Sequence, residues 1–539
     1  MGSRRRLLFA ALVVALGLAV GLLGLVGGFG RQPFVRADAG DVYCVTPGGG
    51  TYAACTEVFT HVQAAVDAAI GSEEIRIAAG TYTGVRNVPV LSTDSFTATQ
   101  VLVITKAVTI RGGYTPSDWT TPDPAANPTT LDAQGQGRVL VISGNTAPTV
   151  EGLRIMGGDA TGLGGRLAER DAGGGVYISE AAPTISDCVV TSNTASTTRD
   201  GWAGGVYLDF SNATLSNNTV ASNTASTAND GWGGGLYLWS SNATLIGNTV
   251  RGNIASTAWT GYGGGVGSRY SDATLIDNVV RGNTASASWT GFGGGLYLRL
   301  YSDATLIGNT VQGNTASGAA QGNGGGLYLR WSDSTLVGNT VVSNTATLNP
   351  RSMGHGGGLV VRQSSPVILT NNLVAGNQAN TEGSGLWFEG TNEDLTSGQL
   401  LHNTIAHNGA SDGNGQGVFV GEYATLSSTN TIIADHNGVG ITVTAGSTAT
   451  LEATLWDENG LNTGGSGAIS TGAVNVLGDP KFVDPSTWDY HLRPGSAAID
   501  RGVDAGVTTD LDGSIRPLGR PDLGAYEGGR LVYLPLVLR

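Results

Sequence analysis

Lysine is almost missing from this chain: 539 residues contain only Lys106 and Lys481. Charged residues of every kind amount to 13%, and the formal net charge is −14. Such a surface repels a phosphate backbone, which excludes nucleic acid as a partner. Adjacent aspartates are absent too. Hydrolysis of a glycosidic bond needs two neighbouring carboxylates, one to protonate the leaving oxygen and one to activate water. No GGxGxD nonapeptide and no six-residue beat occurs, which excludes calcium-binding nonapeptide rolls and left-handed hexapeptide helices. Cysteine is limited to three residues. Cys44 and Cys55 flank a glycine-rich turn and are expected to form a disulfide outside the cytoplasm, while Cys188 reads as a buried small residue.

Glycine, by contrast, is abundant at 86 residues, and it recurs in a fixed pattern. The stretch GGGLYLWSSNATLIGNTVRGNIASTAWTGY, residues 233–262, repeats almost unchanged on either side of itself. The apolar residue after the glycines falls at Val176, Val206, Leu236, Val266, Leu296, Leu327 and Leu359, a period of 30 residues four times, then 31, then 32. One asparagine keeps the same beat from Asn193 through Asn408, and a second from Asn218 through Asn403, with Cys188 in the slot one repeat earlier. A period of this length means stacked supersecondary units. The units lack helix formers, and their apolar residues lie two and then five apart between Gly and Asn, which reads as strand, turn, strand. A propeller blade would need about 40 residues. The expected fold is therefore all-β, a parallel solenoid with Leu236, Leu238, Leu245 and Val250 pointing inward and the asparagines stacked at its corners.

The phrase ATLIGNTVRGNTA after a GLYL strand resembles the repeat of the right-handed parallel β-helix of the pectin-lyase-like superfamily, from about residue 57 to about 460. That resemblance implies a fold shared by lyases, hydrolases and adhesins, so it says little about chemistry. Six segments follow. Residues 1–39 form an export signal, with Arg4, Arg5 and Arg6, the apolar run from Leu7 to Phe29, and Ala37-Asp38-Ala39. The run is also long enough to remain as a membrane anchor. Cleavage after Ala39 would move the net charge from −14 to −18. Residues 40–56 hold the disulfide, and 57–172 hold a capping helix and the first coils. The helix should open with a capping box, Thr60 to Gln63, and bury Val62, Val66 and Ile70. Residues 173–460 are the regular coils. Residues 461–529, including Asp510-Leu511-Asp512-Gly513 and Asp522-Leu523-Gly524-Ala525-Tyr526-Glu527, resemble the C-terminal domain called choice-of-anchor Q. The Asp-x-Asp-Gly segment suits either a turn or Ca²⁺. Residues 530–539 are a short tail, either a last strand or a sorting peptide.

Two surface arrays are candidates for function. Each coil makes a detour before its glycines, and the detours align Trp202, Trp232, Tyr262 and Phe292, with Trp259 and Trp289 three residues earlier. Stacked rings of this kind either bind the apolar faces of sugars or pack on one another. The second array is Asp272, Asp303 and Asp333, each following an arginine, Arg269, Arg299 or Arg330. It reads as a ladder of salt bridges or, as the pectate-lyase resemblance implies, as a Ca²⁺ site. His355, in Gly354-His355-Gly356, superficially resembles a polygalacturonase motif but lacks the aspartates that go with it. His402, His407 and His436 are expected to pack at corners. The sequence thus points to a secreted or cell-surface monomer that binds polysaccharide or another surface polymer without turnover. It needs no cofactor, Ca²⁺ being optional, and would touch a membrane only through an uncleaved N-terminus. The alternative is a Ca²⁺-dependent polysaccharide lyase.

Overall fold

Leu236 and Leu238 alternate inward along a four-residue strand, and Leu245 and Val250 do the same on the next two, so one 30-residue unit closes around its own apolar side chains. The computed structural model describes residues 40–90, 96–166, 169–363, 366–409, 415–516 and 519–528. The expected export signal and the terminal tail lie outside them. In one coil the strands are Leu236–Trp239, Thr244–Ile246, Thr249–Arg251, Ile254–Ser256 and Gly261–Tyr262. Each pairs in parallel with its counterpart one repeat on, as Leu236↔Val266, Leu245↔Leu275, Val250↔Val280, Ser256↔Ser286 and Tyr262↔Phe292. The result is a parallel β-helix whose walls are sheets of 28, 14, 7 and 6 strands. One apolar column runs through it from Val45 to Trp456. Burying each Leu or Val in that column is worth on the order of 2 kcal/mol.

Corners depend on backbone conformations that side chains resist. The residue before each ladder asparagine is left-handed, with φ of +62° at Gly247 and +53° at Asp277. At Gly234 a Cβ would lie 2.4 Å from the Gly264 carbonyl oxygen, so neighbouring coils touch backbone to backbone there. Asparagine then locks the stack. The Asn278 amide donates to the Leu245 carbonyl at 2.9 Å and to Asn309 Oδ1 at 3.0 Å. Its own oxygen accepts from the Asn248 backbone and side chain at 2.9 and 3.0 Å. Cys188 heads this column, and Asn218 Oδ1 accepts its backbone N–H. Burial pushes the Cys188 thiol up to about 12, which keeps it an unreactive spacer.

The ends differ from the sequence expectation. A helix, Val62–Ala68, does plug the N-terminal opening through Val62, Ala65 and Val66. It has no capping box: the N-cap is His61, without a side-chain cap bond. Gln63 reaches instead to the edge strand and pairs with both the Val103 N–H, at 2.7 Å, and the Val103 carbonyl, at 3.2 Å. Because the helix stops at Ala68, Ile70 is 90% exposed and does not join the buried face. Lys106 Nζ terminates the helix by donating to the carbonyls of Val66, Asp67 and Ala69. A disulfide joins Cys44 and Cys55, whose Cα atoms are 5.7 Å apart.

At the other end the chain turns back. Phe482, Tyr490, Ala498, Leu523, Ala525 and Tyr526 pack against the outer face of the last coils, over Val342, Leu373, Ala406, Ile432 and Leu455. Arg516 is buried beneath them, bonding His402 and the carbonyls of Asp522 and Gly524, with Glu527 at 3.3 Å. Asp510 accepts from Asp512 N and Ser514 N, so the Asp-x-Asp-Gly segment is a turn held by its first carboxylate.

The asparagine column generates a test of the register. Asn278→Ala removes the side-chain acceptor of the Asn248 N–H and one bond each from Leu245 O and the Asn248 and Asn309 amides, and should cost about 1–3 kcal/mol in chemical denaturation. Thr257→Ala, on an exposed detour, should cost far less; equal, negligible losses would mean that the ladder is not under load.

Candidate binding surface

The detours fold over the outer side of the 14-stranded sheet. Tyr177, Tyr207, Tyr237, Tyr297 and Tyr328 point outward from their strands yet are buried, because the detour rings cover them. Trp202 lies 5.9 Å from Tyr207 and 5.5 Å from Tyr237 and is fully buried. Trp232, Tyr262 and Phe292 are half-buried and stack nearly parallel, at 5.1 and 5.4 Å. Tyr262 meets Tyr297 at 5.2 Å, and Phe292 meets Tyr328 at 5.3 Å. These four rings therefore hold the detours down. The slot ends at His355, which stacks on Trp387 at 4.9 Å.

Trp259 and Trp289 behave differently. They are 52% and 53% exposed and lie 5.9 Å apart, tilted by 52°. Their loop is pinned through the main chain: Ser286 Oγ donates to the Trp259 carbonyl at 2.6 Å and accepts from the Trp289 N–H at 2.9 Å. The indoles are thus presented outward by bonds that do not involve them.

The aspartate array is a single file at an exposed corner. Asp303 N donates to Asp272 Oδ1 at 3.0 Å, and Asp333 N to Asp303 Oδ1 at 2.8 Å. Partial desolvation and the neighbouring Asp272 charge raise the Asp303 carboxyl, against the bond from Asp333. The expected salt bridges do not form at Asp272 and Asp303. Arg269 instead lies over Trp239 at 4.9 Å and Tyr270 at 5.0 Å, and Arg299 over Trp331 at 5.4 Å. The cause is the turn between them, which sends each arginine out from the end of its strand and each aspartate along the next corner. Among the described residues no group of three His, Cys, Asp or Glu side chains could hold a metal. This arginine and aromatic file escaped the reading by spacing. Its signal was the alternation in GLYLW and GLYLRW, which faces every second residue outward.

One local group of acids and arginines does interrupt the repeat, around the first regular coils. Asp171 is buried and bonded by Arg199 at 2.5 Å and Ser196 at 2.7 Å, while Arg170 meets Asp200 at 3.5 Å and Arg166 meets Asp209 at 3.4 Å. Burial alone would raise the Asp171 carboxyl, yet the bonds from Arg199 and Ser196 hold it below its usual range. Each of these acids already has its own arginine.

His402, His407 and His436 are corner residues. His402 and His407 occupy the left-handed slots before Asn403 and Asn408, both with φ of +53°. His436 replaces an asparagine in the ladder, 3.4 Å from Asn408 Nδ2 through Nε2 and 2.8 Å from Asn459 Oδ1 through Nδ1. That network assigns the proton to Nδ1, and a second proton on Nε2 would face a donor. Burial first, and the neighbouring His407 charge after it, lowers the pKa to about 4, against the bond to Asn459. An unfolded histidine keeps a pKa near 6.5 and binds protons first, so stability is lost as the pH falls from about 6.5 towards 4. His436→Asn, which restores the amide, should recover about 2–3 kcal/mol of that acid-dependent loss between pH 7 and 4. Denaturation midpoints that fall equally in both proteins would refute the assignment.

The family profile described as a right-handed β-helix region matches residues 204–378 and 264–455. No curated protein sequence matches. Among solved structures, a pectate lyase, Pel9A, aligns over 91% of this chain and 97% of its own, at 12% identity and a TM-score of 0.36. The Dettilon tailspike protein aligns over 74% and 62%, at 15% identity and 0.35. PfbA, a surface adhesin of Streptococcus pneumoniae, aligns over 77% and 89%, at 10% identity and 0.25. With the profile match added to the coil geometry, the chain is a right-handed parallel β-helix.

Proposed function

We propose that this chain is an exported, surface-associated protein that binds polysaccharide or a similar surface polymer without cleaving it. The observation that carries this reading is the Trp259 and Trp289 pair, exposed on adjacent coils of a rigid wall and free of any part in holding it. Coils rise by roughly 4.8 Å, about one sugar ring per step, so a polymer lying along the axis meets the same slots repeatedly. Each ring offers flat apolar area to the C–H face of a sugar. The resemblance of residues 461–529 to the choice-of-anchor Q domain supports this reading, because a domain of that kind would hold the solenoid at a cell surface.

The test is a glycan array run with and without Ca²⁺, beside an ultraviolet assay for unsaturated elimination products. Binding without product is expected, and the Ca²⁺ arm examines Asp272, Asp303 and Asp333 directly. Product formation would favour the lyase alternative. Replacing both Trp259 and Trp289 with Ala should weaken binding by about 1–3 kcal/mol and leave the melting temperature nearly fixed. A large drop in melting temperature together with no glycan bound by the native protein would overturn the proposal.

A further inference from the structure

Next to the detours, the outward ends of the 14-stranded sheet carry a second file. Trp239, Arg269, Arg299, Arg330 and Arg362 are direct register partners on five successive strands. Four guanidinium groups therefore stand at the coil rise, roughly 4.8 Å apart at their Cα atoms, in a chain whose net charge is −14. Carboxylate partners close the file at one end, where Arg362 meets Glu389 at 2.9 Å. Among the described residues Arg269, Arg299 and Arg330 make no ion pair. Their polar contacts are Tyr270 Oη at 3.3 Å, Tyr297 Oη at 3.4 Å and Gln363 Oε1 at 2.5 Å. The buried Nε–H groups of Arg269 and Arg299 have no acceptor. Burial lowers the Arg330 pKa, and repulsion from Arg299 and Arg362 lowers it further. A file of like charges left unneutralised is a standing cost to the fold.

The guanidinium planes are also fixed. Arg269 lies over the edge-to-face pair of Trp239 and Tyr270, and Arg330 lies 4.1 Å over Trp331. Trp331 is itself held by Asp394, whose carboxylate accepts from the indole N–H at 3.2 Å. Tyr270 and Tyr301, 39% and 71% exposed, stack at 6.4 Å and 19° alongside the arginines. Positive charge at one-coil intervals beside exposed flat rings suits a linear polymer that offers one anion and one apolar ring face per residue.

We infer that this face, from Trp239 to Arg362, binds a linear acidic polysaccharide bearing a carboxylate or sulfate on each sugar, laid along the solenoid axis. The inference rests on the polysaccharide reading and deepens it by fixing the ligand class and moving the main contact to the arginine file. Guanidinium pairs with carboxylate or sulfate through two parallel N–H donors, and the rings cover the sugar between successive anions. The overall negative charge disfavours nucleic acid, which offers a line of anions at a different spacing.

Calorimetric titration of the full chain would compare polygalacturonate, dextran sulfate, unmodified dextran and single-stranded DNA at low and high salt. Either or both of the two acidic glycans are expected to bind at least about tenfold more tightly than dextran, weakening by about tenfold when salt screens the charges. Polygalacturonate and dextran sulfate separate carboxylate from sulfate as the preferred anion. Arg269→Gln with Arg299→Gln should abolish that advantage while the melting temperature holds or rises, because repulsion is relieved. The salt series on the native chain decides the matter even if the variant does not fold. Equal, salt-insensitive binding of dextran and acidic glycans would overturn this inference and leave the wider polysaccharide reading standing. Binding of no glycan at all would sink both, and tightest binding to DNA would overturn the assignment of ligand class.

Discussion

The asparagine amides at the corners are the interaction on which the rest depends. A parallel stack of three- and four-residue strands has few backbone bonds per segment, and a slip by one residue would turn every inward leucine out. Each ladder amide uses both N–H groups and both oxygen lone pairs on the coils around it, as Asn278 does with Leu245, Asn248 and Asn309. Two such columns, at Asn248 and Asn253, bracket the Thr249–Arg251 strand. They fix both its ends, and the apolar column supplies the free energy that the fixed register then directs.

Everything on the surface inherits that register. A side chain in an outward slot meets its own kind one coil away, so single residues become arrays. Arrays of aromatic rings stack favourably, as from Trp232 to Phe292. Arrays of charge repel, and the chain resolves this differently in two places. The aspartate file alternates each carboxylate with a backbone N–H from the next coil. The arginine file has no matching row of acceptors and uses ring faces instead, which fix direction without cancelling charge.

Periodicity made the core legible. Leu236, Leu238, Leu245 and Val250 point inward, and the two asparagine columns stand where the repeat places them. What sequence spacing could not supply was direction at a bend. Arg269 and Asp272 are three residues apart, yet a bend at the left-handed Tyr270 separates the strand end from the corner, and proximity along the chain became divergence in space. The detour rings were found, but not their division. Trp232 and Trp259 look alike in the sequence, and only the buried tyrosine column beneath the first explains why one is structural and the other exposed. The capping box at Thr60 did not form: the Gln63 amide is taken up by the strand edge at Val103 and by Asp67 one helical turn on, and does not reach back to the N-cap.

The C-terminal return left a trace that a column-by-column reading would have caught. One outward column runs Arg251, Arg281, Gln312, and then turns apolar as Val342, Ala375, Ala406 and Ala434. The change begins where residues 482–526 come to lie across the wall. A solenoid has no intrinsic reason to end a polar column, so such a switch means that something covers it, and here the chain covers itself. Arg516 makes the docking directional. Buried without partners it would be prohibitively costly, but it meets Glu527, His402 and two carbonyls only when the return is seated in one position. The last coils are thereby closed on their outer face by the same chain that forms them, while among the described residues the indoles of Trp259 and Trp289 stay open to solvent.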